Sequence, residues 1–302
     1  MIKYDRDDLA VPNIGPVVKL KGGLGNQMFQ FAAGLALARR TSTKLTLDLS
    51  FLLDRTPRIN FTFRDFDLDI FKLPPDCRAL EKIDFSSGQP LQLFSERYFN
   101  FDPLFDSLPS NSYLDGYWQA PRYFSIVTNE VRDIFTSFLT PLNPRQDALA
   151  QIIRNKNSVC LNVRRGDYVY NPSANAFHGV CGDEYYQQAA RYIIRRNKDA
   201  HFYIFSDDVE WCKKANLVCG APSTVIGSEY FGDRYAEYMQ LMMCCRHFII
   251  PNSTYGWWAA YLGQQPSSIV IAPDPWFNDL LYDTSDLLPK DWIQMSKSPL
   301  LV

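Results

Sequence analysis

The feature that most constrains this chain is a repeated alternation of short apolar strand-like runs with segments of helical spacing. Pro16-Val17-Val18-Lys19-Leu20 reads as a strand, and Lys21-Gly22-Gly23-Leu24-Gly25-Asn26-Gln27 as a glycine-rich turn. Met28 to Arg40 then carries apolar residues at helical spacing, and Thr43 to Leu49 alternates like a strand. The pattern resumes later. Strands are expected at 112–117, 158–163, 201–205, 224–227, 247–250 and 268–272, with helices at 121–139, 183–196, 236–246 and 255–262. Strands separated by helices form an open parallel sheet covered on both faces, so the expected class is α/β. Pro141-Leu142-Asn143-Pro144 reads as a hinge, giving two α/β domains, 1–150 and 151–302, facing a central cleft. Residues 50–110 are irregular and read as loops with short helices.

Composition narrows the function. Apolar residues form 46% of 302 and charged residues 21%, enough for one large core or two ordinary ones. The net charge is -2 and no long basic block occurs, which excludes an extended nucleic-acid surface. A phosphate pocket needs only one or two arginines and stays open. Aromatic residues reach 15%, which suits either dense packing or a cleft that stacks sugars or bases. The seven cysteines are odd in number and lack CxxC spacing, so reduced thiols are expected. The three histidines are scattered, and no metal site is expected. Neither a leader pattern nor a membrane-spanning apolar run stands out, so the expectation is a cytoplasmic protein.

Arg164-Arg165-Gly166-Asp167 follows the expected strand ending at Val163. Arginine forks bind phosphate oxygens through paired charge-assisted hydrogen bonds, and such donors strengthen as charge grows on a departing diphosphate. Asp167 can orient an arginine, bind a sugar hydroxyl or take a proton. The competing reading is a surface turn held by salt bridges. Asn252-Ser253-Thr254 stands between a strand and a helix, where hydroxyls and free amides can receive an anion; helix capping is the plainer alternative. Asp207 and Asp208 follow the strand from His201 and can accept hydrogens from a base or ribose, or cap a turn. Gly23, Gly25 and Asn26 give a close wall for sugar or phosphate, or a tight turn. That loop matches part of a dinucleotide fingerprint but lacks its third glycine, with Asp48 as the downstream acid. A nucleotide-dependent oxidoreductase and a non-catalytic sugar-binding module therefore remain alternatives. His201 and His247 read as structural, and His178 as part of a polar loop.

In combination these segments closely resemble glycosyltransferase family 11, the α-1,2-fucosyltransferases. The resemblance rests on Gly22 to Gln30, Val163 to Tyr168, Phe205 to Asp208, Asn252 to Thr254 and Trp257 to Leu262, with Trp276-Phe277 echoing a late feature. It implies a GT-B-like fold of two Rossmann-like domains, with 1–150 on the acceptor side and 151–302 binding the donor. It further implies inverting, metal-independent transfer of L-fucose from GDP-fucose to the 2-hydroxyl of a galactose in a glycan. GDP-fucose is then a substrate, and no cofactor is needed. Carried over by position, Arg164 is the first phosphate ligand, supported by Arg165, and Ser253 and Thr254 complete the anion site beside Asn252. Asp207 or Asp208 recognises the nucleoside, Gly23 and Gly25 line the site, and Asn26 stands near the sugar or acceptor. Asp167 is the assigned base, with Asp115 its rival. The acceptor is open to being lipid-linked, so peripheral contact with the inner membrane face stays compatible. Two departures stand out. Asn162 replaces the family's usual His, and Tyr255-Gly256 replaces its usual Phe-Ser.

Overall fold

The computed structural model describes residues 15–59, 61–83, 90–279 and 281–297. The outer ends of the two expected domains, 1–14 and 298–302, lie outside the described residues. Contacts divide the chain into a first unit that runs to Leu139 and takes in Tyr282–Pro289, and a second that comprises Thr140–Leu281 and resumes at Lys290.

The first unit contains β1 (Val17–Lys19), α1 (Leu24–Arg40), β2 (Leu45–Asp48), α2 (Ser50–Leu53), β3 (Cys77–Leu80), β4 (Gln92–Ser95), β5 (Ser112–Asp115) and α3 (Thr128–Thr136). Its strands form one parallel sheet in the order β3-β2-β1-β5-β4. Helix α1 lies very close to this sheet. A Cβ on Gly34 would stand 2.3 Å from Val18 Cγ2 and 2.8 Å from Leu45 Cδ1. Arg39 and Arg40 end α1 where the helix dipole favours positive charge.

Two expectations differ here. The 50–110 stretch contains β3 and β4 as well as loops and short helices. Both are edge strands, and β4 is mostly exposed. Neither therefore needs the continuous apolar run that marks a strand buried on both faces. The single helix expected over 121–139 is a 3-10 stretch, Pro121–Val127, followed by α3. The 3-10 stretch is kinked at Phe124 (φ -120°, ψ 19°), and the break before α3 falls at Val127 (φ -122°, ψ 19°), neither of them helical.

The second unit opens with α4 (Pro144–Arg154), whose start is fixed by a capping box between Asn143 and Gln146. There follow β6 (Ser158–Val163), α5 (Gly166–Tyr170), α6 (Pro172–His178), α7 (Asp183–Arg196), β7 (His201–Ser206) and α8 (Val209–Lys214). The unit continues with β8 (Ser223–Val225), α9 (Ala236–Met243), β9 (His247–Ile249), α10 (Thr254–Gly263), β10 (Val270–Asp274) and β11 (Ile293–Ser296). All six strands are parallel, in the order β11-β10-β9-β6-β7-β8. Counted from β6, this is the Rossmann order 3-2-1-4-5-6.

Every residue of β6 is buried, as a central parallel strand requires. Helix α7 buries Tyr185, Tyr186, Ala189, Ala190 and Ile193, one face at helical spacing, in a core shared with Val159, Leu161 and Val163. Trp257 and Trp258 of α10 are fully buried, and Trp257 stacks on Tyr261 at 4.7 Å. These indoles build core, as bulky apolar rings at helical spacing usually do. The class is thus α/β, with the pair of Rossmann-like units that GT-B-like proteins carry. No described helix is long and apolar enough to cross a membrane.

Candidate active site

In the second sheet the chain turns from one side to the other between β6 and β9, which are hydrogen-bonded neighbours. Open α/β sheets bind ligands beyond the carboxyl ends of the strands at such a switch point. The segments leaving these two ends are Arg164–Asp167 and Ile250–Thr254.

Arg164 is held as a fork. One amino group donates to Asp207 Oδ2 at 2.6 Å, and the other donates to the Asp167 carboxylate. Burial opposes the Arg164 charge, but Asp207 and Asp167 override it and raise its pKa. The Arg165 N–H donates to Asp207 Oδ1 at 2.9 Å, so one carboxylate fixes two consecutive residues. The Arg165 side chain turns elsewhere. Its Nε donates to Asp208 Oδ2 at 3.1 Å, and its guanidinium lies 4.0 Å from the Trp211 ring centre. Asp208 also caps α8, accepting the Trp211 N–H at 3.1 Å. Gly166 makes this turn sterically possible, because a Cβ there would lie 2.5 Å from Asp207 Oδ2.

The Asn252 side chain is buried and engaged with backbone and sulfur. Its Nδ2 donates to the carbonyls of His178 at 2.7 Å and Trp276 at 3.0 Å, and its Oδ1 accepts from Cys181 Sγ at 3.6 Å. Asn252 therefore fixes the base of the turn. Ser253 follows as the N-cap of α10 in extended backbone, and its side chain makes no capping bond. The first turn of α10 holds no acidic residue, leaving the positive end of the helix dipole uncompensated from within the helix.

Tyr168 joins the two segments. Its hydroxyl donates to the Asn252 carbonyl at 3.3 Å, and the Arg164 guanidinium lies 5.4 Å from its ring centre. The structure thus brings Arg164, Arg165, Asp167, Asp207, Asp208 and the Asn252–Thr254 turn together at one end of one sheet.

Sequence reasoning missed two participants. His178 is not in a loop; it ends α6, and its ring stacks on Tyr168 at 4.5 Å with 5° between planes. Burial, against a raising effect of Asp167, pushes its pKa down to about 4, and Lys297 and Arg164 add to the lowering. Lys297 follows β11, is 3% exposed, and donates to the His178 carbonyl at 2.7 Å. No motif marked it, because a lone lysine after a short terminal strand carries no local signal. His201 and His247 are structural, as expected. The former bonds Thr224 Oγ1 at 2.9 Å; the latter is bonded to Asn157 Oδ1 at 3.1 Å and accepts the Ile269 N–H at 3.0 Å.

In the first unit the corresponding switch lies between β1 and β5, also neighbours. Gly22 adopts a φ of +79°, and a Cβ there would strike the Asn26 side chain. Gly23 is the N-cap of α1, while Gly25 and Asn26 lie in its first turn. Asn26 Oδ1 accepts from Gln119 Nε2 at 3.0 Å. Two buried glutamines one helical turn apart brace the loop. Gln27 donates to the carbonyls of Gly22 at 2.9 Å and Asp65 at 2.8 Å. Gln30 accepts the Lys21 N–H at 3.1 Å and donates to the Gly116 carbonyl at 3.0 Å, tying the exit of β1 to the exit of β5. Asp115 sits between Lys19 Nζ at 3.0 Å and Lys21 Nζ at 2.9 Å. Burial works to raise its pKa, but the two lysines hold it below the usual carboxylate range, which makes it a weaker base.

Fold and site together define an α/β protein whose Rossmann-ordered sheet presents an arginine fork and a helix entrance at its switch point. The sequence profile described as glycosyl transferase family 11 matches residues 15–296, and the chain belongs to that family. Over 93% of its length it is 35% identical to an alpha-1,2-colitosyltransferase of Escherichia coli, covering 99% of that protein. It is 30% identical over 91% of its length to the O-antigen biosynthesis glycosyltransferase WbnK of Escherichia coli, again covering 99%. It is also 26% identical over 90% of its length to galactoside alpha-(1,2)-fucosyltransferase 1 of Rattus norvegicus, covering 70% of that protein. Family membership replaces the oxidoreductase and binding-module alternatives with glycosyl transfer.

Proposed function

We propose that this enzyme transfers L-fucose from GDP-fucose to the 2-hydroxyl of a galactose residue in a glycan, with inversion and without a metal ion. The observation that carries the reading is the Arg164 fork, aimed by Asp207 and Asp167 beside the α10 entrance. The acceptor oxygen attacks the anomeric carbon of fucose while the bond to GDP breaks on the opposite face. Negative charge grows on the diphosphate and is stabilised by preplaced donors, Arg164 and the Ser253–Thr254 turn. Asp167 takes the proton from the attacking hydroxyl. Asp207 or Asp208 binds the nucleoside, and the Gly23–Asn26 loop contacts the sugar or acceptor. The first unit then serves the acceptor, a lipid-linked glycan among those to be tested, and the second serves the donor.

The 35% identity to a colitosyltransferase favours one second reading, in which the donor sugar is colitose, which lacks the 3-hydroxyl of fucose. The test incubates the enzyme with GDP-fucose and GDP-colitose in parallel, against several β-galactosides, with and without chelator. GDP release and product linkage are measured. A 2-linked fucosyl product made equally well in chelator supports the proposal. Preference for GDP-colitose selects the second reading, and failure to consume either donor with any galactoside refutes both.

A further inference from the structure

The arginine turn has a charge problem. Arg164 and Arg165 face three carboxylates, Asp167, Asp207 and Asp208, all within the same bonded cluster. Taken alone, the cluster is one negative charge in excess, a poor receiver for a diphosphate. Lys297 adds a positive charge from another part of the chain, close enough that it acts on His178 together with Arg164 and Asp167. It is 3% exposed, and its Nζ donates to the carbonyls of His178 at 2.7 Å and Trp276 at 3.5 Å. No carboxylate pairs with it among the described residues. Burial lowers its pKa, which marks the cost of keeping an unpaired ammonium there. The same two carbonyls receive Asn252 Nδ2, at 2.7 and 3.0 Å. Lys297 thus shares both acceptors with Asn252, the residue that precedes the Ser253–Thr254 turn.

From this shared placement we infer that Lys297 is a positioning residue of the donor site, whose buried positive charge is balanced by the bound diphosphate. The inference rests on the proposed use of a nucleoside diphosphate sugar. Lys297 need not touch the ligand. It holds the wall made by the His178 and Trp276 carbonyls, and its field acts through a buried region where screening is weak. As charge builds on the leaving diphosphate, that field favours departure.

The test is calorimetric titration of the wild type, Lys297→Arg, Lys297→Gln and Lys297→Met with GMP and GDP, alongside thermal melting of each free protein. The Gln and Met variants are expected to lose roughly tenfold or more in GDP affinity, and distinctly less in GMP affinity. Lys297→Arg restores most of the loss. Lys297→Gln keeps a donor for the two carbonyls, so it remains informative if the Met variant does not fold. Equal losses for GMP and GDP, or a Gln variant that binds GDP as tightly as the wild type, overturn the inference while leaving the donor reading intact. A wild type that binds no GDP overturns both.

Discussion

Gly166→Ala asks the most of the geometry for the least chemical change. The added methyl carbon would arrive 2.5 Å from Asp207 Oδ2, roughly 1 Å inside ordinary contact, so the carboxylate must give way. Asp207 is the shared acceptor for Arg164 Nη1 at 2.6 Å and the Arg165 N–H at 2.9 Å. A displacement of about 1 Å takes both bonds beyond the normal range. Each charged hydrogen bond is worth about 1.5–3 kcal/mol, but Asp167 still holds the other arm of Arg164, so the loss is partial. We expect about 2–3 kcal/mol of transition-state stabilisation to go, a fall in kcat/KM of roughly 30- to 150-fold. The assay is steady-state GDP release with saturating galactoside and varied GDP-sugar, with circular dichroism to verify folding. A folded Gly166→Ala enzyme within threefold of wild-type kcat/KM would refute the claim that Asp207 aims the arginine fork.

Arg164→Ala should lower transfer by about a thousandfold and weaken GDP binding; Arg164→Lys, which keeps charge but loses the fork, should fall between, and a folded Ala variant with wild-type transfer excludes Arg164 as the phosphate ligand. Gly23→Ala tests the loop wall, because a Cβ there meets nothing within 4 Å among the described residues. Thermal stability should hardly change while the KM for donor or acceptor rises at least fivefold, and unchanged kinetics remove Gly23 from the ligand wall. His178 gives a pH signature, since its folded pKa of about 4 lies below the ordinary 6.5. The unfolded chain then binds more protons between these values, so its contribution is full above pH 6.5 and lost as pH falls toward 4, about 3 kcal/mol in all. Urea midpoints measured from pH 7 to 4.5 should decline less in His178→Phe, and parallel declines would show that His178 does not carry the effect. Asp167→Asn should reduce kcat more than GDP affinity if Asp167 takes the proton; equal losses assign it to orienting Arg164.

Much of the second sheet was legible because its central strands are buried on both faces and are therefore rich in apolar residues. Ser158–Val163 and Asp183–Arg196 show this: the strand is continuously buried, and the helix has a clean apolar face with acid at its start and base at its end. Edge strands gave no such signal. β4, reading Gln-Leu-Phe-Ser, is mostly exposed, and its pairing with β5 is carried by backbone groups that any sequence supplies. The return of Tyr282–Pro289 to the first unit was equally hidden, because it depends on contacts distant in sequence, such as the Phe101 N–H donating to Asp286 at 3.0 Å. The arginine motif could be found from its residue types. Which carboxylate holds which arginine could not, since Arg164–Asp207 spans 43 positions and Lys297 meets His178 across 119.

The two departures from the family pattern, 94 positions apart in sequence, are one feature in the fold. A Cβ on Gly256 would stand 2.5 Å from Asn162 Oδ1, so a larger residue at 256 cannot coexist with this amide where it is. Asn162 is itself fixed, its Nδ2 donating to the Phe205 carbonyl at 3.1 Å, which ties the end of β6 to the end of β7. A glycine in the first turn of α10 therefore lets the helix entrance close onto the end of β6, which Arg164 follows. Asn162 is an uncharged amide, so no proton can be exchanged there near neutral pH. What residue 162 supplies instead is spacing: it sets how closely the positive end of α10 approaches the arginine turn.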